Sequence, residues 1–325
     1  MPEIRIGVSP VPPHRRRYFE TFSFGEIAQT WADPVRPSRL RSLRRTAGPE
    51  FEFVFAAWRW LTLDPLDTRG PTPLGLPRRE LGLLQPTEAN RTLWGLVAQQ
   101  QRALGAHGVL LKTPSSFGPS QHNRAQMVRF LDEIVRAGGA SAPKVIWEPR
   151  GIWEYDDALE FAQSCGVLLA TDPFADAAFP DPLPADAYYM LTGPQGQARF
   201  RDDDLHRLVE FCDEHDGTVT LAVHGADRER IAQRILRLLQ TDTGLDDGDE
   251  RAVDDEPTAV APGDDEAVWA ELDDDSAWDE TGVELDDPLG DGDDDFDDED
   301  DEDEDDDEDG GDDREGGAGE PRRRR

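Results

Sequence analysis

The sequence predicts an α/β protein, a closed (β/α) barrel followed by a disordered acidic tail, and three observations carry that reading. Between Ile4 and Leu239 a short apolar run ending in a polar or turn residue alternates with an amphipathic helical stretch. The alternation recurs about eight times, which favours a closed TIM-like barrel over an open doubly wound sheet. Charge then divides the chain: residues 241–325 hold 41 of the 71 acidic side chains but only 6 of the 34 basic ones. Residues 1–240 are thus a near-neutral body of a size that suits one barrel, and residues 241–325 are too poor in apolar side chains to offset the entropy of ordering.

The strands are read from apolar runs rich in β-branched and aromatic residues at Ile4–Val8, Thr21–Ile27, Phe51–Ala57, Val109–Leu111, Lys144–Trp147, Val167–Ala170, Tyr188–Leu191 and Thr218–Val223. Helices fall between them where apolar residues recur on one face: Met127, Phe130, Leu131, Ile134 and Val135; Leu205, Leu208, Val209 and Cys212; Ile231, Ile235, Leu238 and Leu239; and, more loosely, Leu93, Leu96, Val97 and Leu104. Asp202, Asp203 and Asp204 stand where carboxylates suit the unpaired N–H groups of a helix start. From Leu63 to Pro86 the chain is dense in Pro and Gly and shows no period, so it reads as a long loop after the third strand, either an irregular insertion or a lid over the mouth.

Several function classes are excluded or disfavoured. Gly7-Val8-Ser9-Pro10 is followed by Val11-Pro12-Pro13, which lacks the backbone donors of a dinucleotide-binding turn. No P-loop, zinc-protease motif or Ser/His/Asp order is present. Cys165 and Cys212 have no metal-ligand spacing and read as buried thiols of a cytoplasmic protein. No apolar run approaches the ~18 residues of a membrane span. The near-neutral body and polyanionic tail argue against direct nucleic-acid binding, with Arg15-Arg16-Arg17 the one local exception.

Barrel strands end at one shared mouth, so the polar residues that close them form one candidate site. Glu26 ends the second run among apolar neighbours and needs a partner or water. Lys112, one of only two lysines beside 32 arginines, follows the fourth run, where an ammonium suits a phosphate or carboxylate, or, if desolvated, a Schiff base. Glu148 and Arg150 share a face if the fifth strand continues, as a ligand-binding pair or a structural one. Trp153 suits either stacking on a ligand or core packing, Asp172 an acid, a ligand or a turn, and His224 closes the last run. Glu26, Glu148 and Asp172 are an oxygen-donor set, but no matching histidines accompany them, so no metal is expected and no cofactor is named.

At these positions the chain resembles the YecE-like proteins, a family of TIM-type barrels also called DUF72. Glu26-Ile27-Ala28-Gln29-Thr30-Trp31 is similar to the family's E-I-N-x-T-F-Y segment, Phe51 to Ala57 to its F-x-F-x-x-K-A strand, and Pro114-Ser115-Ser116-Phe117 to its P-x-S-F. Glu148, Arg150 and Trp153 resemble its E-x-R followed by Trp, and Asp172 and Tyr188 to Gly193 follow in the same order. The departures are polar: alanine replaces the strand lysine at Ala56, Lys112 stands for a glutamine, Met190 and Thr192 for Arg and His, and Ala222, Val223 and His224 occupy the region of an Asn-Asn pair. The resemblance implies the barrel and carries no settled reaction.

The functional expectation is a barrel that binds a small polar or anionic ligand through Lys112, Arg150, Trp153 and His224, with acid/base or hydrolytic chemistry assigned to Glu26, Glu148 and Asp172. The alternative is a non-enzymatic scaffold whose tail, densest between Asp291 and Asp309, solubilises the protein or recruits basic partners.

Overall fold

The computed structural model describes residues 2–12, 15–66, 68–175, 179–194 and 199–242. Residues 243–325, and with them the expectations placed on the tail, lie outside the described residues. Eight strands close into a parallel barrel in sequence order: β1 (Glu3–Val8), β2 (Phe24–Ile27), β3 (Glu52–Ala56), β4 (Gly108–Lys112), β5 (Lys144–Glu148), β6 (Leu168–Thr171), β7 (Ala187–Leu191) and β8 (Thr218–Val223). The described helices are α1 (Arg15–Thr21), α2 (Pro37–Ala47), α3 (Glu88–Leu104), α4 (Gln121–Phe130), α5 (Tyr155–Ser164), α6 (Asp202–Asp213) and α7 (Arg228–Asp242).

Period-two alternation sorts each strand into an outer and an inner set. Val109, Leu111, Val145, Trp147, Tyr189, Leu221 and Val223 pack outward among the helices. Phe24, Val54, Leu110, Ile146, Ala170, Tyr188 and Ala222 fill the interior as a separate cluster. The barrel is therefore a packed core, with Phe24 and Tyr188 meeting edge to face at 6.0 Å. Gly7 completes the closure, since a Cβ there would lie 2.0 Å from the Phe24 carbonyl oxygen across the β1–β2 seam. At the N-terminal end Arg5 pairs with Glu52 at 2.6 Å and Lys144 with Asp186 at 3.4 Å, so charged groups cap the floor.

Three elements depart from the sequence expectation. Residues 21–23 belong to no strand, because α1 occupies Arg15–Thr21. Its Tyr18 hydroxyl donates to the Phe24 carbonyl at 2.6 Å and accepts from the Val8 N–H at 2.8 Å, and Phe22, which counts towards a strand in the sequence, packs against the Tyr18 ring at 4.9 Å instead. α2 has only Leu40 and Leu43 buried among arginines, too sparse a face to register as a period. No helix is described between β6 and β7, where Pro173, Pro180, Pro182 and Pro184 remove the N–H donors that a helix requires. α6 begins as expected, with the Asp204 carboxylate accepting from the Arg201 N–H at 2.9 Å.

The segment after β3 is irregular but fastened. Leu81 and Leu84 are fully buried, and short 3₁₀ turns form at Pro73–Gly75 and Arg78–Glu80. Asn90 of α3 holds it, accepting from the Gly82 N–H at 3.2 Å and donating to the Gly82 and Gln85 carbonyls at 3.2 and 2.9 Å. Asn90→Ala leaves these buried backbone groups unpaired and should cost about 3 kcal/mol in urea unfolding; a loss below about 1 kcal/mol would show that the segment is held by its leucines alone.

Candidate functional site

The parity that sends Phe24, Leu110, Ile146, Ala170 and Ala222 inward sends Glu26, Lys112, Glu148, Asp172 and His224 to the same side, one step nearer the strand C-termini. The expected convergence at the mouth is realised for most of them. Lys112 lies between two carboxylates, 3.3 Å from Glu26 Oε1 and 3.4 Å from Glu148 Oε2. Tyr188, which sequence reasoning assigns only to an apolar strand, donates its hydroxyl to Glu26 Oε2 at 2.7 Å. Arg150 donates from Nε to Glu148 Oε1 at 3.1 Å while most of its side chain stays in solvent. Register explains the meeting of β4 and β5, whose residues Lys112 and Glu148 are direct partners.

The protonation states follow from this packing. Burial alone would raise the Glu26 carboxyl, but Lys112, His224 and hydrogen bonds from Tyr188 and Ser9 outweigh it and hold Glu26 below the usual carboxylate range. Burial would lower the Lys112 ammonium, yet Glu26 and Glu148 raise it above its ordinary value. Lys112 is thus a fixed cation, which removes the Schiff-base reading because that chemistry needs a free amine. Tyr188 is pushed well above its ordinary value by burial and by Glu26, so it stays a donor. Burial, only partly opposed by Glu26, lowers His224 and keeps its imidazole neutral near pH 7.

The remaining members differ in how far they are committed. Both Glu26 oxygens are occupied and its side chain is fully buried. Glu148 Oε2 has its ion pair but no aligned hydrogen bond, and His224 Nε2 is buried without a hydrogen-bond partner. Asp172 is engaged in the turn reading: Oδ1 accepts from the Phe174 N–H at 2.9 Å, and Oδ2 accepts from the Thr192 N–H at 3.1 Å and from the Thr192 hydroxyl. Trp153 takes the packing alternative, donating to the Phe117 carbonyl at 2.7 Å and meeting Trp147 edge to face at 4.8 Å, with the Arg124 guanidinium over its ring. A cleft of about 300 Å³ adjoins Asp172, lined also by Glu154, Tyr155, Asp156, Phe179 and Asp181. Among the described residues no group of three or more His, Cys, Asp or Glu side chains is placed to hold a metal ion, and no helix is long and apolar enough to cross a membrane.

No family model and no curated relative matches the chain by sequence. Solved structures do match its shape. A DUF72 family protein of Enterococcus faecalis V583 superposes with a TM-score of 0.54 at 14% identity, over 74% of this chain and 98% of that one. A second, from Thermotoga maritima MSB8, gives 0.51 at 15% identity over 73% and 99%. The chain has the DUF72 fold. The resemblance read from the sequence is thereby supported by shape.

Two outcomes test the electrostatics. Lys112→Met strands two buried carboxylates and should cost about 3–5 kcal/mol, most of it restored by adding Glu26→Gln and Glu148→Gln. Because His224 has a lowered native pKa, the unfolded chain binds its proton first as pH falls below about 6.5, so stability contributed by the neutral imidazole is present above that value and lost on acidification. His224→Gln should flatten the decline in melting temperature between pH 7 and 5; an unchanged slope would place a neutral His224 in error.

Proposed function

We propose that the barrel mouth binds a small polar ligand, with Glu148 and His224 as the acid–base pair that acts on it. The carrying observation is the Glu26–Lys112–Glu148 cluster itself. Taking three charges out of water costs several kcal/mol per ion, and apolar side chains of similar volume often give equal or better stability. The cluster stands at the strand C-termini, the end at which barrel enzymes carry their chemistry.

The roles follow from what each group has left to offer. Glu26, itself held by the Tyr188 hydroxyl, fixes the Lys112 ammonium, which supports negative charge on Glu148 or on a ligand. Neutral His224 accepts a proton at Nε2, and Glu148 offers Oε2 as a second acceptor or to orient a hydroxyl. Arg150, largely in solvent, suits a carboxylate or phosphate on the ligand's outer edge.

A thermal-shift and calorimetric screen of the full chain against sugars, sugar phosphates and organic acids tests this reading. A hit should weaken at least about 10-fold in Glu148→Gln with the fold retained, as expected when a buried charge-assisted contact is lost. Hits indifferent to that substitution would move the site away from the mouth.

A further inference from the structure

Six buried side-chain polar atoms among the described residues lack a hydrogen-bond partner, and five belong to residues at the C-terminal end of the barrel. Glu148 Oε2 and His224 Nε2 are part of the cluster above. The others are Gln29 Oε1, Trp31 Nε1 and Arg59 Nε. Gln29 and Trp31 lie on the 3₁₀ turn that follows β2, and Arg59 opens the 3₁₀ turn that follows β3. β2 and β3 are paired neighbours, and β2 carries Glu26. The Arg59 guanidinium sits 6.0 Å from the Trp31 ring centre, so the two turns form one continuous rim. Unpaired buried polar groups are rare and costly in folded proteins, and their concentration at one face of the barrel needs a cause.

Resting on the reading of the mouth as a ligand site, we infer that the β2–β3 rim is its recognition half and that the ligand is polyhydroxylated, of monosaccharide size. The chemistry of the unpaired atoms leads there. Trp31 Nε1 and Arg59 Nε only donate; Gln29 Oε1 and Glu148 Oε2 only accept; neutral His224 Nε2 accepts when its other nitrogen carries the proton. A hydroxyl both donates and accepts, so a ring of vicinal hydroxyls is the simplest small ligand that satisfies such a mixed set, and an indole beside it offers an apolar face for sugar C–H groups. A simple dicarboxylate supplies only acceptors and leaves Gln29 Oε1 and Glu148 Oε2 without a hydrogen-bond donor. Gln29, Trp31 and Arg59 are partly buried, not fully enclosed, as residues, and on this inference side-chain rotation presents their sheltered atoms to the ligand.

The test uses the full chain, with D-xylose, D-glucose, myo-inositol, their phosphates and succinate as probes, read by saturation-transfer NMR and calorimetry. At least one polyol should bind, and Gln29→Met and Trp31→Phe should each weaken it roughly 5- to 10-fold, the worth of one net hydrogen bond, with the melting temperature retained. Binding of succinate and of no polyol would overturn the ligand class while leaving the mouth reading in place. A polyol that loses affinity in Glu148→Gln but not in the rim variants would overturn the rim assignment alone. A polyol sensitive to the rim variants but indifferent to Glu148→Gln would support the rim and overturn the mouth reading. No binding by any probe would overturn the inference.

Discussion

The Lys112 ammonium, held between Glu26 and Glu148, is the constraint on which the mouth of this barrel depends. It joins the ends of β2, β4 and β5, and through Glu26 it brings in Tyr188 of β7. A charge so placed has only two stable outcomes, full pairing or neutralisation. The structure adopts full pairing, and the protonation states of its neighbours follow: Glu26 ionised, Tyr188 a donor, His224 neutral. Polar groups at the mouth and apolar groups in the layer below are thus consequences of one alternation, in which β2, β4 and β5 carry Glu26, Lys112 and Glu148 at the inward parity and Asp172 and His224 continue it just beyond β6 and β8.

That alternation is also why so much of the fold is legible in the sequence. All eight strands lie where apolar runs place them, because a parallel barrel buries both strand faces and leaves nearly continuous hydrophobic segments. The helices with wide apolar faces, such as α6 with Leu205, Leu208, Val209 and Cys212 buried, are equally plain. α1 and α2 are not, since each docks through a few large residues: Tyr18 in one case, Leu40 and Leu43 in the other. The loop before α3 looks structureless because its order comes from Asn90 reaching back to backbone groups, which no periodicity records.

The site is legible to the extent that strand ends are. Glu26, Lys112, Glu148, Arg150 and His224 stand out by position, whereas the Tyr188 hydroxyl is hidden by the apolar character of its strand. Its inward parity, two residues before Met190 and opposite Ala170, is the signal that would have found it. Asp172 and Trp153 carry both structural and functional readings, and their geometry engages them in a turn and in packing. Gln29, Trp31 and Arg59 lie on turns outside any period, and only the pairing of β2 with β3 brings those turns together. The likeness to DUF72 proteins stops at the fold for the same reason: a shared barrel fixes where a mouth lies, and the residues lining it determine what it does.

The most direct test of the central interaction is a site-resolved ¹³C NMR titration of the glutamate side-chain carboxyl carbons, with Glu26 assigned by its loss in Glu26→Gln. If Lys112 is a buried cation paired with it, Glu26 remains ionised to a pH below the usual glutamate range, and its signal shifts when Lys112 is replaced by methionine. A Glu26 that titrates at or above the usual range, or that ignores Lys112→Met, would contradict a mouth organised around the Lys112 ion pairs.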